Sequence, residues 1–269
     1  MLKREDLSSE NIDQIVADAH KAGYHFFLSS AEREASFKAA LARYQPGEEV
    51  WVFAYGSLMW RPGFVFTDRT WARLSGYRRS FCIYSVYHRG TPLRPGLVLG
   101  LDRGGVCEGV AYRIEAARAA QTIAYLRERE QVTGVYREAL VPVTLLRGER
   151  PEVSALAYLV ERAHPSYAGM LPVALQARVI RAAEGRSGGN LEYLISTLSH
   201  LEELGIREPE LERVLTFTGR LLTRGASVEA SVKALRRAAQ GKPAVGIARL
   251  RPGERKRFIH RKAFGARSI

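Results

Sequence analysis

Trp51-Val52-Phe53-Ala54-Tyr55-Gly56-Ser57-Leu58-Met59-Trp60-Arg61-Pro62-Gly63-Phe64 reads as an apolar strand that runs straight into a glycine-centred turn. Such a strand end can aim several backbone N–H groups at one point, since glycine tolerates the positive φ of a tight anion-holding curve. The stretch therefore predicts a strand over 50–55, a turn at Tyr55-Gly56-Ser57-Leu58 with positive φ at Gly56, and a site suited to a carboxylate or a developing oxyanion. An ordinary strand-ending turn is the other reading of Gly-Ser taken alone.

Working outward, the pattern stays β as far as Ile114, with strands expected near 71–87, 96–102 and 106–114 and a turn at Arg103-Gly104-Gly105 between the last two. Residues 115–131 switch to a helical period, and 135–146 and 153–160 return to β. Beyond Pro165 the chain reads as helices near 172–184, 190–204, 209–223 and 227–239, the first two closed by Gly185 and Gly205. Upstream of the quoted stretch, two helices precede the break at Gln45-Pro46-Gly47. The second opens on Ser29-Ser30-Ala31-Glu32, the spacing of a capping box between Ser29 and Glu32.

The 269 residues, 46% of them hydrophobic, suffice for one generous core. No apolar run approaches the ~18–20 residues that span a bilayer, and Met1-Leu2-Lys3-Arg4-Glu5-Asp6 lacks the apolar stretch of a secretory signal. A cytoplasmic location without membrane contact is expected. Cys82 and Cys107 lie in strand-like apolar surroundings and read as buried free thiols. Neither a metal nor a cofactor is called for, because no His, Cys or acidic cluster has ligand spacing, and the glycine-rich runs at 100–105 and 185–189 match no phosphate or dinucleotide loop. The net charge of +13 is concentrated at the C-terminus, where residues 249–269 carry eight Lys and Arg against the single acid Glu254. That end is read as a disordered basic tail over 241–269.

On the helix at 115–131, Ala119, Ile123, Leu126 and Glu130 share one stripe, while Glu128 points nearly opposite. Glu130 thus ends an apolar face, where partial burial raises a carboxyl pKa toward the range useful for proton transfer. A semi-buried glutamate neutralised by Arg79 or Arg113 is the competing interpretation.

The quoted stretch resembles the opening motif of the ChaC-type γ-glutamylcyclotransferases, in which Trp-Val-Phe-Gly-Tyr-Gly-Ser-Leu is followed by an apolar residue and Trp. Further blocks follow in family order: Gly76-Tyr77-Arg78-Arg79, His88-Arg89-Gly90-Thr91-Pro92, Arg94-Pro95-Gly96, Gly109-Val110-Ala111-Tyr112-Arg113, Arg129-Glu130, Thr133-Gly134-Val135-Tyr136, Tyr167-Ala168-Gly169 and Glu192-Tyr193-Leu194. The resemblance covers roughly residues 50–206. It implies cyclisation of a γ-glutamyl group to 5-oxoproline, with Cys-Gly expelled when the substrate is glutathione. It also implies that Glu130 is the catalytic acid/base, and that the main chain of Val52, Phe53, Ala54, Tyr55, Gly56, Ser57 and Leu58 holds the γ-glutamyl moiety. Ala54 departs from the family's usual glycine, which implies a slightly narrower pocket.

Two further residues are candidates for substrate contact. Arg89 is suited to the terminal carboxylate of a peptide, since guanidinium and carboxylate pair through two parallel hydrogen bonds; a solvated loop arginine is the alternative. Tyr136, across the turn from Glu130, is placed to bond substrate or base, with a buried structural tyrosine as the alternative. Ser57 is not read as a nucleophile, because no Asp–His pair accompanies it.

The sequence as a whole is read as mixed α/β, a small β-barrel or sheet with surrounding helices. A helical extension (1–49) precedes a γ-glutamylcyclotransferase-like domain (50–240), and the basic tail follows. The expected function is glutathione-specific γ-glutamylcyclotransferase. The alternatives are cyclotransfer on other γ-glutamyl amines or amino acids, and a non-enzymatic regulator of cation transport or a nucleic-acid-associated protein. Nucleic-acid contact is not expected of the core and is confined to weak electrostatic binding by the tail.

Overall fold

The computed structural model describes residues 9–222 apart from 22, 24–26 and 42–46. The helix expected at 227–239 and the tail at 241–269 lie outside them. Among the described residues the order is α1 (Ser9–Lys21), α2 (Ser30–Leu41), β1 (Val50–Ala54), a 3-10 turn (Ser57–Met59), β2 (Asp68–Ser85), β3 (Gly96–Ile114), α3 (Ala116–Glu130), β4 (Tyr136–Leu145), β5 (Glu152–Val160), α4 (Val173–Ala182), the short strands β6 (Glu184–Gly185) and β7 (Gly188–Gly189), α5 (Asn190–Glu203) and α6 (Pro209–Leu222). The mixed α/β expectation holds. Five strands close into a barrel in the order β1-β3-β2-β4-β5, and β5 returns to β1 through the parallel pairs Trp51↔Ala155 and Val52↔Leu156.

Closure buries the side chains that the apolar runs supply: Val52, Ala54, Leu101, Tyr112, Leu156 and Ala157 are all fully inaccessible. The long hairpin of β2 and β3 corrects one expectation. Arg103-Gly104-Gly105 is no turn between two strands, because β3 runs through it without a break. The two glycines lie opposite Gly76 at a register shift, and all three have positive φ. They form a bulge that bends the hairpin, the use of an extra residue that keeps pairing intact on both sides. Gly185 is corrected likewise. Helix α4 stops at Ala182, and Gly185 belongs to the small β6–β7 ribbon. Glycine at 205 does close its helix, at φ +71°, with Gly205 N–H donating to Glu202 at 2.9 Å and Ile206 N–H to Leu201 at 2.8 Å.

In the N-terminal segment, Ser29 N–H donates to the Glu32 carboxylate at 2.8 Å and Glu32 N–H to Ser29 Oγ at 3.3 Å, so the capping box is formed. Val16, Ala19 and Phe27 pack against Val86, Tyr87 and Val132, and Leu28 N–H donates to the Val132 carbonyl at 3.0 Å. Helix α1 and the link to α2 thereby brace the loop that follows α3. Cys82 and Cys107 are buried and unbridged, and burial pushes both thiols up to about 11. No helix among the described residues is long and apolar enough to cross a membrane.

Candidate active site

Where β1 leaves the barrel, the chain turns through Gly56 into the 3-10 segment, and a cleft opens beside it. Its walls are Phe53, Tyr55, Gly56, Ser57, Leu58, Leu99, Glu130, Tyr136, Tyr158 and Tyr193, and it encloses about 420 Å³ with its open mouth included. Residues from β1, β3, α3, β4, β5 and α5 therefore converge on one point.

The turn is held from beneath. Arg79, almost wholly buried on β2, donates through Nε to the Tyr55 carbonyl and through Nη2 to the Glu108 carbonyl at 2.6 Å, and its Nη1 pairs with Glu208. Tyr112 on β3 donates its hydroxyl to the carbonyls of Leu58 and Met59. The Gly56 and Ser57 carbonyls are taken by Met59 N–H at 2.9 Å and Arg61 N–H at 2.8 Å. The first N–H groups of a helical turn find no partner inside it, and here they belong to Ser57 and Leu58, both in the cleft wall. Gly56 has φ −133°, not the positive value expected, and a Cβ built on it would find only Leu99 Cδ1, at 4.0 Å. Space in the cleft, not backbone handedness, is what this glycine provides.

Glu130 is the last residue of α3, its side chain 18% exposed. Burial raises its carboxyl pKa above the usual value, and the charge and hydrogen bond of Arg129 oppose the rise. Arg79 and Arg113, the arginines considered from sequence, are committed elsewhere: Arg79 as described, Arg113 to Glu49 at 3.7 Å and to Thr67. Glu128 is exposed.

The rest of the wall is tyrosine. Tyr136 donates its hydroxyl to the Leu99 carbonyl at 2.8 Å, and it shares a hydrogen bond with Tyr55. Burial lifts the phenol pKa of Tyr55 and Tyr136 well above the usual value, with the negative charge of Glu130 adding to it, and burial raises that of Tyr193. These rings stay neutral donors. Tyr158 donates to Glu138 at 3.1 Å, the same oxygen that receives Arg127 at 2.9 Å. Tyr193 is set over the cleft by Asn190 three residues earlier. That buried amide accepts from Leu97 N–H at 2.6 Å and donates to the Leu97 carbonyl at 2.7 Å, hooking the start of α5 to β3.

Of the residues expected at the site, Phe53, Tyr55, Gly56, Ser57, Leu58, Glu130 and Tyr136 line the cleft. Val52 and Ala54 do not, being fully buried within β1, so the Ala54 methyl does not narrow the opening. Arg89 is buried behind the wall. Its guanidinium lies 5.2 Å from the centre of the Tyr193 ring and donates to the Gly189 carbonyl at 3.3 Å. Leu99, Tyr158, Tyr193 and the role of Arg129 were not anticipated. Tyr193 stands in a quoted motif, whereas Tyr158 sits in the unbroken buried run of β5, where no periodicity singles it out. Among the described residues, no group of three or more His, Cys, Asp and Glu side chains is placed to hold a metal ion.

A family model of ChaC-like proteins matches residues 50–219. The glutathione-specific γ-glutamylcyclotransferase of Escherichia coli is 36% identical over 196 residues, covering 72% of this chain and 84% of that protein. Human glutathione-specific γ-glutamylcyclotransferase 1 is 34% identical over 181 residues, 65% of this chain and 81% of its own. The crystal structure of the yeast γ-glutamyl cyclotransferase specific to glutathione superposes with a TM-score of 0.58 at 24% identity, over 65% of this chain and 99% of that one, a likeness of fold. With its barrel, its strand-end turn and a match over most of its length, the chain belongs to the ChaC-like family.

Proposed function

We propose that the chain is a glutathione-specific γ-glutamylcyclotransferase, a lyase that converts glutathione to 5-oxoproline and Cys-Gly. The single observation that carries the reading is a lone carboxylate, Glu130, at the wall of a cleft otherwise made of neutral tyrosines, Phe53, Leu99 and a strand-end turn.

In this reading the γ-glutamyl group lies in the cleft, folded so that its α-nitrogen faces its own γ-carbonyl. Glu130 takes a proton from the ammonium, and the freed amine attacks the γ-carbon. The new C–N bond closes a five-membered ring, the old amide C–N bond breaks, and the proton held by Glu130 passes to the departing cysteinyl nitrogen. The ring nitrogen then gives up its second proton through the same carboxylate, so that the lactam keeps one N–H and Cys-Gly leaves as an ammonium. No water is consumed and no enzyme nucleophile is required. The N–H groups of Ser57 and Leu58 are the donors for charge on the carbonyl oxygen, an arrangement effective because it is fixed before reaction. Holding the folded conformer replaces the entropy that free glutathione would lose in cyclising. Tyr136, its hydroxyl hydrogen committed to the Leu99 carbonyl, forms a neutral wall beside the base, and Arg89 acts by steadying Tyr193 and not by meeting a carboxylate.

The division into a helical extension (1–49), a catalytic unit (50–240) and a basic tail (241–269) belongs to this reading, supported by a family match that starts at residue 50. A cytosolic setting, where the substrate is abundant, belongs to it as well. The non-catalytic alternatives are not favoured. Purified protein should release 5-oxoproline and Cys-Gly in equal amounts from glutathione, and turn over γ-glutamyl amino acids far more slowly. Comparable rates on all γ-glutamyl compounds would return the specificity to the broader alternative.

A further inference from the structure

We propose that Arg129 is the positioning residue of this site, its guanidinium spanning from the Glu130 carboxylate to Ser57 and thereby fixing the acid/base against the strand-end turn. The inference rests on the cyclotransferase reading for its kinetics, but its geometry stands apart from it. Every nitrogen of the guanidinium is committed. Nε lies 3.2 Å from Glu130 Oε1, Nη2 donates to Ser57 Oγ at 2.6 Å, and Nη1 donates to the Arg61 carbonyl at 2.9 Å and to the Tyr125 hydroxyl at 3.3 Å. Its side chain is only 13% exposed. The loop it grips is pressed onto α3 at Gly63, where φ is +73° and an added Cβ would fall 2.1 Å from the Tyr125 hydroxyl. One cation thus ties together three parts of the site, the 3-10 turn, the loop after it and the end of α3.

The charge matters as much as the reach. The other groups that face Glu130 are Tyr55 from the turn after β1, Tyr136 from β4 and Tyr193 from α5, all kept neutral by burial. Arg129 is the cation that counters the burial of the carboxylate. The reaction begins with a carboxylate that must be ionised to accept the ammonium proton, so a site without Arg129 starts more often in the wrong protonation state. A lysine supplies the charge but not the planar fork that reaches four acceptors at once. Ser57, with its hydroxyl oxygen engaged by this cation, is accounted for as an anchor for the turn.

The test compares the full chain with Arg129→Gln and Arg129→Lys. The Glu130 carboxyl is titrated by carbon-13 NMR in substrate-free protein, with Glu130→Gln giving the assignment, and kcat and KM for glutathione are measured across pH. Arg129→Gln should raise both the NMR midpoint and the acid limb of kcat/KM by about one pH unit or more. Arg129→Lys should leave the midpoint close to the parent and still lower kcat by about tenfold or more, because the turn is no longer tethered. A folded Arg129→Gln whose Glu130 titrates as in the parent would overturn the proposal, as would a fall in kcat/KM by one constant factor at every pH. Should the glutamine variant fail to fold, a lysine variant with parental kcat would overturn it instead. Parental protein inactive on glutathione would sink the functional reading alone, because the NMR titration reports on Arg129 without substrate.

Discussion

The hydroxyl of Tyr112 lies 2.7 Å from the carbonyl oxygen of Met59, donating from β3 to the turn that follows β1. The same hydroxyl reaches the Leu58 carbonyl at 3.2 Å. A fully buried phenol is therefore spent on holding a turn, and the turn is one wall of the cleft.

Tyr112→Phe leaves both carbonyls in an apolar interior without that donor. The expected loss of stability is about 1–3 kcal/mol. Urea unfolding should show a lower midpoint with an unchanged slope, and KM for glutathione should rise as the turn loosens. An unchanged midpoint would mean that other donors replace the hydroxyl.

Glu130→Gln should fold as the parent does and lose turnover by ~10²–10⁴, since an amide cannot carry a proton from the attacking amine to the leaving nitrogen. Glu128→Gln, on the exposed face of the same helix, should turn over within about twofold of the parent, as surface changes generally perturb little. Release of 5-oxoproline measured for both variants decides between the two faces of α3.

Glu130 also sets a pH dependence of stability with a definite sign. Its folded pKa is raised by burial above the usual 4.5, so the folded chain holds this proton more tightly than the unfolded chain. The resulting contribution is fully present below the unfolded pKa and is lost as pH rises through the folded one. Glu130→Gln should therefore be more stable than the parent near neutrality, with the gap closing as pH falls through the raised folded value toward 4.5. Thermal melts of the two proteins at pH 4 and pH 7 measure it. A gap that widens toward acid would reverse the assignment of burial as the dominant influence on Glu130.

Two glycines near the site should respond in opposite ways. Gly56→Val has room for its Cβ, and the added methyls enter the cleft, so the protein should fold while kcat/KM falls by about a hundredfold or more, as misplacement of reacting groups does. At Gly109 an added Cβ would lie 2.3 Å from the Ala54 carbonyl oxygen and 2.9 Å from Phe53 Cζ. Gly109→Ala should fail to give soluble protein or melt far below the parent, because backbone and a buried ring cannot move aside cheaply. Solubility, melting temperature and turnover of the pair separate the two roles.

What could be read along the chain was whatever depends on neighbours in sequence. The Ser29–Glu32 box, the stop at Gly205 and the face of α3 that carries Glu130 are all set within a few residues, and their patterns are visible. Gly104-Gly105 misled because a glycine pair marks a turn and a bulge alike, and only Gly76 across the ladder distinguishes them. Arg79 was considered as a partner for Glu130, yet its acid is Glu208, which lies 129 positions further along and is brought to it by α6 packing. Arg129 was quoted as half of a motif, but its role depends on Ser57, 72 positions earlier. The four tyrosines of the wall come from four different elements, and no local signal unites them.

Barrel closure carries a kinetic consequence. The parallel pairs Trp51↔Ala155 and Val52↔Leu156 join segments separated by about a hundred residues, and contacts of that span form late because the chain between them must first be ordered. The turn after β1, Glu130 on α3 and Tyr158 on β5 come into register only when that seam shuts. During refolding, helical signal should therefore return ahead of turnover. A chain arrested before the seam closes would be compact and partly helical, yet unable to harm the cell's glutathione while it waits.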